Sequence, residues 1–220
     1  PEEGRLGRHA VRGAAVTMTG QLFKMAIQIL SVVILARLLS PHDYGLLAMV
    51  TAVIGVTDIF RDFGLSSAAI QAPTLSRGEQ SNLFWLNTAL GAVLTVLVWL
   101  SGPLLAAFYD RPELVPITHA MAFSFLINGM ATQYRADLSR RMSFKRLAVA
   151  DVVGALTGLV LAVVLALLGT GYWALVAQQL TQATVTLLLV VIVARWLPRA
   201  YDRKVSVRRF LSFGWRLAGS

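Results

Sequence analysis

No lysine, arginine, aspartate or glutamate occurs between residues 82 and 108, or between residues 172 and 194. A helix crossing about 30 Å of hydrocarbon needs roughly 20 mostly apolar residues, and each run meets that length. Over the 220 residues, 56% are hydrophobic and 14% are charged, where soluble domains carry about 25% charged residues. The chain lacks the polar surface a water-soluble fold of this size requires. Six stretches reach crossing length: residues 14–38, 44–59, 82–108, 114–134, 147–168 and 172–194. The predicted fold is therefore all-α, a polytopic transmembrane bundle of six helices.

Helix-start chemistry falls between these stretches. Ser40-Pro41-His42-Asp43 places a capping serine, a first-turn proline and an acid in order, and Ser76-Arg77-Gly78-Glu79 and Asp110-Arg111-Pro112-Glu113 repeat the pattern. Gly169-Thr170-Gly171 predicts a tight turn, and Ser101-Gly102-Pro103 predicts a kink or early end in the third span. In the connector after the second span, residues 65–70 are too short to cross and are expected to extend that helix or lie along the interface. The first span is too long for a signal peptide and lacks a small-residue cleavage site, so it is expected to be retained.

The net charge is +9. Of the 20 lysines and arginines, seventeen fall on one set of alternate connections, Arg37 and Arg111 on the other, and Lys24 inside a span. Basic residues concentrate in cytoplasmic loops, so both ends are expected to be cytoplasmic, in contact with anionic lipid head groups. That bias accounts for the basic charge without nucleic acid. The absence of cysteine excludes disulfides, thiolate metal sites and a cysteine nucleophile. His9, His42 and His119 are scattered, with no metal-ligand spacing and no Walker A loop. No cofactor and no enzymatic activity are expected.

Polar residues inside the spans form a pattern. Thr17, Gln21, Lys24, Gln28 and Ser31 share one face of the first span. Shorter versions occur at Thr51, Gly55, Asp58 and Asp62, at Thr118, Asn128, Thr132 and Arg135, and at Gln178, Gln182, Gln179 and Thr186. Four of six helices can thus turn a hydrophilic side inward, around a water-accessible cavity or, alternatively, in a dry bundle joined by interhelical hydrogen bonds. Lys24 and Asp58 each lie 17 residues from Pro41 and are expected at similar depth. They are either a structural pair or a functional site, since ionisable groups at membrane depth mark substrate paths. Asp151 is expected to pair with Arg146 or reach the interface, and Gly154 and Gly158 to permit close helix packing.

Four blocks carry a family resemblance: Leu38-Leu39-Ser40-Pro41-His42-Asp43-Tyr44-Gly45, Asp62-Phe63-Gly64-Leu65-Ser66-Ser67-Ala68-Ala69-Ile70-Gln71, Gly171-Tyr172-Trp173-Ala174-Leu175-Val176-Ala177-Gln178 and Arg195-Trp196-Leu197-Pro198. In this order they resemble the Wzx-type polysaccharide flippases of the multidrug/oligosaccharidyl-lipid/polysaccharide exporter superfamily. The resemblance implies a bacterial inner-membrane, alternating-access transporter of two lobes. Its substrate would be undecaprenyl-pyrophosphate-linked oligosaccharide, moved for capsule, exopolysaccharide or O-antigen assembly. A drug or cation antiporter of the same superfamily, or an integral membrane glycosyltransferase or polymerase, is the alternative.

The chain starts at Pro1 and stops at Ser220 just as a new apolar stretch begins, so it is expected to be a piece supplying the amino-terminal lobe. In that scheme residues 1–13 form a basic cytoplasmic segment, 14–197 the six-helix lobe, and 198–220 a basic amphipathic lead-in to a second lobe. The expected substrate-binding residues are Lys24, Gln21, Gln28, Asp58, Asn128 and Gln178, offering a fixed cation for pyrophosphate and amides for a glycan.

Overall fold

The computed structural model describes residues 3–61 and 76–202, with side chains over 18–56 and 76–202. Its six helices are α1 (Glu3–Leu38), α2 (Pro41–Arg61), α3 (Arg77–Tyr109), α4 (Leu114–Arg140), α5 (Phe144–Leu167) and α6 (Trp173–Ala194), and no strand occurs among the described residues. The segments Met18–Leu38, Arg77–Tyr109, Leu114–Arg140, Phe144–Leu167 and Trp173–Ala194 are long and apolar enough to cross a membrane. At 21 residues, α2 is about 31 Å long. The chain is thus a multi-pass helical membrane protein. The connector containing residues 65–70, with Asp62, lies outside the described residues.

Two seams hold the bundle together. Antiparallel α3 and α4 meet at Gly91 and Gly129. A Cβ on Gly91 would stand 2.6 Å from the Phe125 carbonyl oxygen, and one on Gly129 2.7 Å from that of Asn87. Bare backbones therefore touch, the arrangement by which small residues let membrane helices associate. Antiparallel α5 and α6 repeat the device, as their sequence predicts: Gly154 lies against Thr186, and Gly158 against the carbonyl of Gln178. α1 runs parallel to α5, with Gly20 against Ala148 and Leu35 and Leu39 among Ala162, Ala166 and Leu175.

The helix ends follow local chemistry. Ser40 and Asp43 form a reciprocal cap, Asp43 N–H donating to Ser40 Oγ (3.2 Å) and Ser40 N–H to the Asp43 carboxylate (3.0 Å). Ser76 and Glu79 close the full capping box of α3. The third expected cap is corrected. Asp110 is instead the left-handed C-cap of α3 (φ 52°), and α4 starts at Leu114 without a side-chain cap. Its backbone N–H returns to Ala106, so the residue completes the preceding helix, a role for which aspartate tolerates positive φ.

Ser101-Gly102-Pro103 does not end α3, which continues to Tyr109. Ser101 Oγ donates to the Val98 carbonyl (2.7 Å), and the His119 ring packs against Gly102, 3.1 Å from where a Cβ would stand, so local contacts support the helix at this point. The predicted turn at Gly169 and Gly171 is observed with φ of 76° and 59°. A side chain at Gly171 would also meet the Asp43 carboxylate at 2.9 Å.

After α6 ends at Ala194, with Arg195 as its left-handed C-cap, the chain folds back across the start of α3. Asn82 and Asp202 exchange two hydrogen bonds (2.7 and 2.9 Å), Trp85 Nε1 donates to the Arg199 carbonyl (2.8 Å), and Arg199 N–H donates to Ser81 Oγ (3.1 Å). This strap ties the end of α6 to α3, and Trp196 packs with Tyr134 and Phe84 beneath it.

Candidate functional site

A cavity of about 970 Å³ opens between α1, α2, α4 and α6, at the upper end of the range for small-molecule pockets. It exists because the first hairpin is splayed. α1 leans on α5, whereas α2 touches α3 and α4, so the two neighbours in sequence part below their shared turn. α1 contributes Lys24, Gln28 and Ser31 to the wall, α4 contributes Asn128, Thr132 and Arg135, and α6 contributes Gln178, Gln179 and Gln182. The 3.6-residue period aligns these positions, so each helix turns one polar face to the same space.

Several expected residues converge and others do not. Lys24, Gln28, Asn128 and Gln178 line the cavity. Gln21, one turn nearer the amino terminus, is exposed and lies outside it. Asp58 belongs to α2, but its side chain lies outside the described residues, as does that of Thr17. On α2, Tyr44, Leu47 and Ile54 line the cavity, and Thr51, on the same helical face, donates its hydroxyl to the Ala48 carbonyl (3.1 Å), while Asp62 lies outside the described residues. Thr118 is fully buried near Gly102 and is not part of the wall.

The polar groups differ in how they are satisfied. Gln178 Nε2 donates to Ser31 Oγ, joining α6 to α1 across one edge of the cavity. Lys24 makes no hydrogen bond or ion pair among the described residues, and the side-chain amides of Gln28, Asn128, Gln179 and Gln182 make none there either. An amine and four amides therefore face one space, with both donors and acceptors available.

Arg135 and Asp151 form the ion pair of this cavity, joined at 2.7 and 2.9 Å through both guanidinium nitrogens and both carboxylate oxygens. The pairing of Asp151 with Arg146 is corrected. Arg135 and Asp151 each lie eight residues from Ser143, so the α4–α5 hairpin brings them level, whereas Arg146 is on the same helix five positions away. The hairpin count applied to residues 24 and 58 would have found this pair. The side chains are 40% and 21% exposed, so the pair forms part of the cavity surface.

Comparison with known proteins gives a consistent set of relatives. The family model described as "Polysaccharide biosynthesis protein" matches residues 34–220. The chain is 26% identical over 159 residues to the lipopolysaccharide biosynthesis protein WzxC of Escherichia coli, covering 72% of this chain and 32% of that protein. It is 30% identical over 191 residues to the succinoglycan biosynthesis transport protein ExoT of Rhizobium meliloti, covering 86% and 38%. It is 28% identical over 145 residues to the teichuronic acid biosynthesis protein TuaB of Bacillus subtilis, covering 66% and 30%. The chain spans about a third of the length of the curated relatives it matches. No solved structure matches it.

Proposed function

The chain belongs to the polysaccharide biosynthesis protein family, and on that premise we propose that it forms one lobe of a polysaccharide flippase. The substrate in this reading is undecaprenyl-pyrophosphate-linked oligosaccharide, carried from the cytoplasmic to the outer leaflet of the bacterial inner membrane, with both ends of this chain cytoplasmic. A second lobe closes the cavity from the other side. The roles of ExoT and WzxC, in succinoglycan transport and lipopolysaccharide biosynthesis, support the polysaccharide part of the assignment.

Lys24 carries the proposal. It is a cation on the wall of a polar cavity, about 21 Å along α1 from Leu38, with no counter-charge among the described residues. Such a charge is costly at membrane depth and is offset when an anionic group occupies the cavity. A pyrophosphate supplies that anion, and the amides of Gln28, Asn128 and Gln178 match glycan hydroxyls. Gln21 lies outside the cavity and drops out of this set, while Asp58 remains a candidate partner for Lys24. A cationic drug is a poorer fit, since the carboxylate seen in the cavity, Asp151, is already held by Arg135.

The test is glycan export by the full-length protein. Lys24→Ala is expected to abolish export at unchanged membrane abundance, and Lys24→Arg to retain part of it. Wild-type export in the alanine variant overturns the role of Lys24.

A further inference from the structure

A second cavity, of about 660 Å³, lies at the basic end of the bundle, under the strap that follows α6. Arg77 at the start of α3, Arg141 at the end of α4, and Arg195 and Arg199 on the strap all line it. Four guanidiniums from three parts of the chain converge on one space. Asp137 neutralises one of them, bonding Arg141 at 3.1 and 3.0 Å. The side chains of Arg77, Arg195 and Arg199 have no acidic partner among the described residues.

The neutral lining has the same polarity of hydrogen bonding. Gln80 is 8% exposed with its Nε2 unpartnered, and the indole Nε1 of Trp196 is likewise buried without an acceptor. Guanidinium, amide and indole N–H groups all donate, so donors outnumber acceptors in this lining, where Gln80 Oε1 and Ser81 Oγ are the side-chain oxygens and Ser81 Oγ already accepts from Arg199 N–H. A phosphate ester, with several oxygens and negative charge, complements such a set, and arginine binds it through two parallel hydrogen bonds. The wall also has an apolar side: Ile192 and Leu197 belong to the lining and are 67% and 77% exposed. Phosphate-seeking groups beside bare aliphatic surface suit an amphiphile better than a free ion.

We propose that this cavity binds the phosphate head group of an anionic phospholipid, with its acyl chains along Ile192 and Leu197. The site is separate from the α1–α4–α6 cavity and depends on the membrane placement of the bundle, not on what Lys24 meets. Basic pockets between helix ends at a membrane interface have the charge and position for such lipids. Because two of the arginines sit on the strap, a bound head group would also join the strap to α3 and α4.

The experiment titrates the purified full-length protein in detergent with short-chain phosphatidylglycerol, with phosphatidylcholine and inorganic pyrophosphate as the other arms. The wild type is expected to bind phosphatidylglycerol at least about tenfold tighter than phosphatidylcholine, the equivalent of one charge-assisted contact. The double variant Arg195→Gln/Arg199→Gln is expected to lose that preference. Lys145→Gln/Arg146→Gln removes the same charge outside the cavity and is expected to keep it. Trp196→Phe, which deletes a donor and retains a ring, is expected to weaken binding about threefold and covers the case in which the arginine variant does not fold. Equal losses in both charge-removed variants, or no loss in either cavity variant, overturn the proposal. Binding of pyrophosphate as tight as that of phosphatidylglycerol, and lost in the Arg195→Gln/Arg199→Gln variant, overturns the lipid assignment; pyrophosphate binding that survives in that variant reports the Lys24 cavity instead.

Discussion

The α1–α2 and α3–α4 hairpins are both built from long helices joined by short connections at the same end of the bundle, yet one is open and the other closed. Glycine alone does not separate them. Gly45 and Gly55 lie on α2, but nothing comes within 4 Å of where their side chains would begin, whereas Gly91 and Gly129 face each other across touching backbones. The closed seam has glycines on both helices at one level, and the first hairpin has no such glycine pair.

Their polar groups differ accordingly. On the closed seam, Thr95 Oγ1 bonds the carbonyls of Gly91 (2.9 Å) and Ala122 (3.0 Å), so a polar side chain is absorbed by backbone. On the open side, Lys24 and the amides around it are left facing space. A polar residue in a membrane helix therefore points to a cavity when the opposing backbone is too far away to satisfy it.

The largest expected effect comes from forcing the closed seam apart. Gly129→Leu should cost about 3 kcal/mol of stability, the upper part of the range for overpacking, because its Cβ would collide with the Asn87 carbonyl and the Gly91 backbone. Gly45→Leu on the open hairpin should change stability by less than about 1 kcal/mol. Thermal unfolding in detergent measures both, and equal shifts would remove the distinction between the hairpins.

A smaller loss is expected for Asp151→Asn, which leaves Arg135 without its counter-charge. The pair is partly exposed, so the cost should be about 1–2 kcal/mol, below the value for a fully buried charge. The Arg135→Asp/Asp151→Arg double variant should recover part of it, and a double-variant unfolding series reads the coupling. Additive losses would show that the pair does not act as a unit.

The smallest effect tests what holds the open hairpin at its turn. Burial raises the Asp43 pKa, but hydrogen bonds from Ser40 and the Tyr172 backbone, together with nearby His42, outweigh it, and the carboxyl stays below its ordinary value. A lowered folded-state pKa contributes stability above the unfolded value, about 3.9, which is lost as pH falls through the folded value. Stability should therefore fall on acidification below about pH 4, by a few tenths to 1 kcal/mol from this group. Asp43→Asn should flatten that part of the pH profile. An unchanged profile would mean the cap does not hold the turn.

Much of this arrangement was legible in the residues, for identifiable reasons. Uncharged runs mark crossing helices because no other local signal is that long. Lys24, Gln28, Asn128 and Gln178 line one cavity because helical period aligns a stripe. Gln21 shares that face but lies outside the lining, because period gives a face and not its extent along the axis. Asp110 was misassigned because aspartate suits both helix ends, and spacing does not show which end its backbone closes. The strap was invisible: Asn82, Trp85 and Ser81 are more than 110 positions from the residues they bind.

That strap has a mechanical consequence. Its four hydrogen bonds run between α3 and the stretch that follows α6, so tension on the chain at Asp202 loads them together. Displacement of whatever is attached there is delivered first to α3, and through the glycine seam to α4, before it reaches α6. The helix next in line to feel a pull is thus not its neighbour in sequence, and α4 is the one that carries Asn128 and Arg135 into the cavity wall.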